Sequence, residues 1–166
     1  MARQLWLLRH AEAEPHGTRA DAQRRLTERG EAQARAAGIA LLRIGASFER
    51  VLYSPKVRAR QTAELAAEAW SEHERGNLGE HPPLAGGFGL PDARDAMAGV
   101  GEDARVLMVG HEPDLSRLTA DICGGRIDLK KGGLAVLRLE GAGGELVLLL
   151  RPREIALIAG IPPGGE

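Results

Sequence analysis

The feature that most narrows the fold is an alternation. Short aliphatic runs, each stopping at a polar or glycine-containing corner, are separated by stretches whose apolar residues recur at helical spacing. Gln4 to Leu8 is such a run and ends at Arg9-His10. Thr27 is placed as an N-cap, and Ala37, Ala40, Leu41 and Ile44 then fall at i, i+3, i+4 and i+7, an amphipathic helix that Gly45 closes. Val51-Leu52-Tyr53 predicts a second strand, and Ser54-Pro55 reads as an N-cap with proline at the first position of a helix reaching about Trp70. A short helix is expected between Leu90 and Gly99. Arg105 to Val109 predicts a third strand, stopping at Gly110-His111. Pro113 then starts a helix in which Leu115, Leu118, Thr119 and Ile122 keep the same spacing until Gly124-Gly125. Leu134 to Leu139 and Glu145 to Leu150 read as an antiparallel hairpin joined by residues 140–144.

Strands alternating with helices require right-handed crossovers, so the chain predicts an α/β fold with a mostly parallel sheet covered on both faces and a C-terminal antiparallel hairpin. Residues 71–89 are polar, Gly and Pro without a period and read as a long surface loop. Residues 162–166 read as a loose tail, leaving 1–161 as one domain. A chain of 166 residues can bury one sizeable core, and 43% hydrophobic with 27% charged residues excludes wholesale disorder. The net charge of −1 supplies no global field for a polyanion, which argues against nucleic acid as a partner and makes any anion site local. A single cysteine, Cys123, excludes an intramolecular disulfide and a Cys-based zinc site. It reads as a small buried hydrophobe, and a reducing, cytoplasmic home is expected. The apolar run at the N-terminus is too short for a signal-peptide core, and no stretch approaches the roughly 18 apolar residues that span a bilayer. No membrane association is expected.

Ligands of open parallel sheets bind beyond the carboxyl ends of the strands, which here carry Arg9-His10, Ser54-Pro55 and Gly110-His111. An imidazole with the ordinary pKa of about 6.5 is mostly neutral near pH 7, so His10 qualifies as a nucleophile toward phosphorus. Arg9 and Arg58 offer planar forks for phosphate oxygens, Arg58 from the start of a helix whose N-terminus itself favours an anion. His111, protonated, adds a further donor. Taken singly, each has a plainer reading: a loop start for Arg9-His10, a solvated helix residue for Arg58, a polar cap for His111. Three strand ends presenting suitable residues to one rim favour a site. His10, Glu12, Glu14 and His16 alternate like metal ligands, but a polar loop explains them as well. His73 and His81 are expected to be exposed. Lys130 and Lys131 read as solvated residues ahead of a strand, with the option of drawing an anionic substrate to the pocket.

Leu7-Leu8-Arg9-His10-Ala11-Glu12-Ala13, Leu26-Thr27-Glu28-Arg29-Gly30, the run from Tyr53-Ser54-Pro55 through Arg58 to Thr62-Ala63, and Val109-Gly110-His111-Glu112-Pro113 occur in that order. Together they resemble the histidine phosphatase (phosphoglycerate mutase-like) superfamily, and the compact middle of the chain resembles its SixA-type phosphohistidine phosphatase branch. The resemblance implies a three-layer α/β sandwich, His10 as the phosphorylated nucleophile, and Arg9, Arg58 and His111 as the phosphate pocket. It implies no metal and no organic cofactor. Two departures stand out. Ala11 occupies the place where the commonest signature has Gly. Ester-cleaving members also carry a carboxylic acid as proton donor, whereas Glu80 lies in a stretch that does not match that motif and Glu112 reads either as the donor or as a helix cap. The expected activity is therefore hydrolysis of phosphohistidine on a protein by way of a phosphohistidine enzyme. The alternatives are an ester phosphatase or mutase acting on a small phosphorylated metabolite, and a non-catalytic phosphohistidine-binding module.

Overall fold

A computed structural model describes residues 2–162. In chain order it contains β1 (Gln4–Arg9), α1 (Glu28–Ile44), β2 (Arg50–Tyr53), α2 (Val57–Ala67), α3 (Glu72–Arg75) and β3 (Leu78–Glu80). Then follow α4 (Leu90–Ala96), β4 (Arg105–Gly110), α5 (Asp114–Cys123), β5 (Leu134–Glu140), β6 (Gly143–Leu150) and α6 (Pro152–Ile158). The strands form one sheet in the order β3-β2-β4-β1-β5-β6. β3, β2, β4 and β1 pair in parallel, and β5 runs antiparallel to both β1 and β6.

Side chains alternate across each strand, which builds a layer on either face. Trp6 and Leu8 of β1 join Val51, Leu107, Val109, Leu134 and Val136 under α1, α2 and α6. Leu5 and Leu7 join Val106, Met108, Ala135 and Leu137 under α4 and α5. The sequence expectation of a three-layer α/β fold holds. α1 begins and ends as read: Thr27 Oγ1 accepts from the Gly30 amide at 3.0 Å, and Gly45 closes the helix at φ 82°, where only glycine is at ease. Gly38 lets α1 meet α2 backbone to backbone, because a Cβ there would lie 1.9 Å from the Ala66 carbonyl oxygen. That contact fixes the helix that carries Arg58.

Four readings change. Ser54 does not cap α2, which starts at Val57 with Lys56 in the cap position and ends at Ala67, short of Trp70. Residues 71–89 are not a plain loop, since they hold α3 with a Ser71–Glu74 capping box, strand β3, a 3₁₀ turn over Pro82–Ala85, and the buried side chains of Leu84 and Phe88. The hairpin turn is shorter than 140–144, leaving only Gly141 and Ala142 between the strands. After the hairpin, α6 returns to pack on α1, an element that spacing did not reveal. Of the tail expected over 162–166, residues 163–166 lie outside the described residues. No helix among the described residues is long and apolar enough to cross a membrane.

Candidate active site

Parallel register brings the strand ends level: Arg9 of β1 pairs with Gly110 of β4, and Tyr53 of β2 pairs with Val109. The residues just past those ends, His10, Ser54 and His111, are thereby gathered on one rim, and Arg58 reaches it from the first turn of α2. His10 is 6% exposed, His111 7% and Arg58 4%. The two imidazole ring centres are 5.2 Å apart. The positive charges of Arg58 and Arg9 both bear on His10.

His10 Nδ1 lies 2.7 Å from the Ala11 carbonyl oxygen. A carbonyl only accepts, so Nδ1 carries the hydrogen and Nε2 of the neutral ring keeps its lone pair. Burial, with His111, Arg58 and Arg9 adding to it against the Ala11 hydrogen bond, pushes the pKa of His10 down to about 3. Ala11 is itself held, because its amide donates to Thr62 Oγ1 at 3.1 Å while that hydroxyl donates to the Arg58 carbonyl at 2.7 Å. Thr62, fully buried in α2, thus ties the carbonyl that orients His10 to the backbone of Arg58.

The two arginines are partly committed to the protein. Arg9 Nη1 donates to the Leu129 carbonyl at 3.0 Å, and Arg58 Nη1 donates to the Asp21 carbonyl at 2.7 Å with Nη2 at 3.3 Å from Asp21 Oδ2. In each guanidinium Nε is buried without a partner, so each keeps a donor that the protein does not use, and in Arg9 the bond to Leu129 engages Nη1 alone. His111 Nε2 is 2.8 Å from Ser54 Oγ, while His111 Nδ1 is buried without a partner. Burial first, then the charges of Arg58 and Lys56, push His111 down to about 3 as well, so the expectation of a protonated His111 is corrected to a neutral ring.

Asp21 is the residue that spacing missed. It sits in a 3₁₀ turn over the rim and meets Arg58, Arg24 and Lys56. Its pKa lies below the usual carboxylate range: burial pulls the other way, but hydrogen bonds from Lys56 and Arg24 and the charge of Arg58 prevail. Arg24 is a local partner, but the tie that brings Asp21 to the site, to Arg58, spans 37 positions and leaves no local signal.

Glu112, the candidate proton donor, is bound to the start of α5. One carboxylate oxygen accepts from the Ser116 amide at 2.9 Å and the other from the Ser116 hydroxyl. Glu80 is exposed at the end of β3. The alternating metal-ligand candidates diverge, with Glu12 accepting from Thr27, Glu14 from Arg19 and Arg25, and His16 facing solvent. No group of three or more His, Cys, Asp or Glu able to hold a metal occurs among the described residues. His73 is exposed as expected, but His81 is half-buried against Phe88, with ring centres 6.1 Å apart. Lys130 is exposed and paired with Asp128 at 2.8 Å, Lys131 is exposed, and Cys123 is half-buried at the edge of the second core.

A buried neutral imidazole, buried unpartnered nitrogens on Arg9, Arg58 and His111, and fixed positive charge thus meet on one rim, an arrangement that can receive an anion with several acceptor oxygens. The model of the histidine phosphatase superfamily (branch 1) matches residues 5–80. An uncharacterized protein of Picosynechococcus sp. is 33% identical over 90% of this chain and 97% of its own length. The chain belongs to the histidine phosphatase superfamily. Among solved structures, the protein histidine phosphatase SixA complexed with tungstate superposes with a TM-score of 0.78 at 26% identity, over 92% of this chain and 99% of that one. The alpha-ribazole phosphatase from Shigella flexneri shares the fold, with a TM-score of 0.63 at 20% identity over 90% of this chain and 96% of that one.

Proposed function

We propose that this phosphatase hydrolyses phosphohistidine on a protein through a phosphohistidine formed on its own His10. The observation that carries the reading is the set of buried, unpartnered nitrogens, the N–H groups of Arg9 Nε and Arg58 Nε together with His111 Nδ1, beside a neutral imidazole whose Nε2 is unprotonated. Each buried donor without an acceptor costs about 1–3 kcal/mol, so a cluster of them suits a ligand with several acceptor oxygens. A phosphoryl group has that form. The likeness to a SixA that was solved with tungstate, itself a tetrahedral oxyanion, supports the same reading.

In the first step the Nε2 lone pair of His10 bonds to phosphorus as the P–N bond of the substrate, whose ring is protonated on its other nitrogen, breaks and returns its electrons to that ring, which leaves as neutral imidazole. Arg9, Arg58 and His111 donate to the equatorial oxygens, where the charge is spread in the transition state. In the second step a water oxygen attacks phosphorus from the vacated side, the His10–phosphorus bond returns its electrons to Nε2, which leaves the ring neutral with its Nδ1 hydrogen, and the product departs as dihydrogen phosphate carrying both protons of the water. From a ring protonated on its other nitrogen the group expelled is neutral imidazole, a weak base that departs with little help. That suits a rim where Glu112 is occupied by Ser116 and Glu80 is exposed.

The test is phosphate release from a phosphohistidine-bearing carrier protein, an aryl phosphate and several sugar phosphates. The carrier and the aryl phosphate are expected to turn over, and sugar phosphates hardly at all. Faster turnover of a sugar phosphate would make this an ester phosphatase, and release from none would make it a binding module.

A further inference from the structure

Ser54 follows the end of β2 beside His111, which follows the end of the neighbouring strand β4, and it is 0% exposed. Its Oγ lies 2.8 Å from His111 Nε2 and 3.2 Å from the Lys56 amide nitrogen. An amide only donates, so Lys56 takes one lone pair of the hydroxyl. The hydroxyl hydrogen then needs an acceptor, and among the described residues the one within reach is His111 Nε2. The opposite arrangement, Nε2–H donating to Oγ, leaves the hydroxyl hydrogen unsatisfied in a fully buried place, which proteins avoid.

We propose that Ser54 is a positioning residue: by donating to Nε2 it keeps the His111 proton on Nδ1, the buried atom with no protein partner, and so fixes His111 as an uncharged N–H donor to a substrate oxygen. The donor role rests on the phosphatase reading above, whereas the tautomer does not. The consequence for the chemistry is specific. A ring locked with hydrogen on Nδ1 contributes a directed hydrogen bond without a charge, and it has no lone pair facing the substrate with which to take a proton. Ser54 thereby does for the β4 histidine what the Ala11 carbonyl does for the β1 histidine. The serine that the sequence suggested as a helix cap has its oxygen turned to the site instead.

The experiment reads the ring nitrogens of the free, ¹⁵N-histidine-labelled protein by long-range ¹H–¹⁵N correlation near neutral pH, with His111 assigned by the signal that His111→Ala removes. The expected spectrum has a protonated Nδ1 and an unprotonated Nε2. In Ser54→Ala the proton is expected to populate Nε2, with kcat/KM falling about 10- to 100-fold, less than the 10² to 10³ for outright loss of such a donor. Ser54→Thr keeps the hydroxyl and restores both readouts. Ser54→Ala added to His111→Ala changes the rate little, since its effect passes through His111. A wild-type ring protonated on Nε2 overturns the proposal, as does a Ser54→Ala loss that is equally large with or without His111. The expected tautomer in a protein that hydrolyses nothing would leave Ser54 as assigned and remove the phosphatase reading.

Discussion

The ends of β1 and β4 carry two histidines that look alike by every simple measure. Both are buried, both are pushed down to about 3, and their rings are 5.2 Å apart. Their surroundings differ in one respect. His10 gives its Nδ1 hydrogen to a carbonyl and keeps a lone pair on Nε2, whereas His111 meets a hydroxyl at Nε2 and has Nδ1 unpartnered. In the proposed mechanism the same neutral ring acts as a nucleophile at one strand end and as a donor at the other. Burial keeps both uncharged, and the partner of the far nitrogen decides what each can do. The sharpest way to break this comparison is to remove each ring in turn. His10→Ala should abolish both turnover and phosphoenzyme, a loss on the order of 10⁶ for a nucleophile. His111→Ala should slow turnover by about 10² to 10³ yet still let labelled phosphate be trapped on His10 after acid quench. Label trapped on the His10→Ala protein, or equal losses in both variants, would show that the two rings share one role.

Their common burial has a smaller effect, on stability. Each histidine moves from about 6.5 in the unfolded chain to about 3 in the folded one, so between those values the unfolded state binds protons that the folded state does not. Stability is therefore fully present above about pH 6.5 and falls as pH drops toward 3. At pH 5 each ring should cost up to about 2 kcal/mol relative to the unfolded chain. Urea unfolding at pH 7 and pH 5 should show this loss in the wild type, and His111→Asn should remove one ring's share of it. An unchanged pH dependence in that variant would mean that His111 takes up its proton in the folded state.

How much of this the sequence disclosed follows from how far apart the partners lie. The runs around Leu5, Val51 and Val106 are long enough to show strands, and the residues just past them, His10, Ser54 and His111, are found together on the rim. The hydrogen bonds that orient them span the chain: Thr62 holds Ala11, Asp21 meets Arg58, and Ser54 meets His111 57 positions on. No local pattern encodes such pairings. β3 has three residues and owes its existence to pairing with β2, so residues 71–89 carry no period to read. α6 has seven residues with only Ile155 buried, too short for an apolar stripe to declare itself.

The smallest expected effect concerns Glu112, one residue past His111 and turned to other work. Its two oxygens accept from the amide and hydroxyl of Ser116, which binds the carboxylate to the first turns of α5. If no carboxylic acid protonates the leaving group, the chemistry must show it. An alkyl ester expels a strongly basic alkoxide and forfeits the roughly 10² to 10⁴-fold that general acid catalysis supplies, while a nitrophenolate, or an imidazole whose other nitrogen is already protonated, leaves without a donor from the enzyme. A plot of log kcat/KM against leaving-group pKa, over aryl and alkyl phosphates, should therefore fall steeply. Glu112→Gln keeps an oxygen to accept from Ser116 but carries no acid, so it should leave both the slope and the rate nearly unchanged. A shallow slope in the wild type that steepens in Glu112→Gln would mean that the carboxyl leaves Ser116 during turnover and hands over a proton. The β4 end would then supply two donors, one to the phosphoryl oxygens and one to the leaving group, and the division of labour between the two strand ends would extend to all of the proton chemistry.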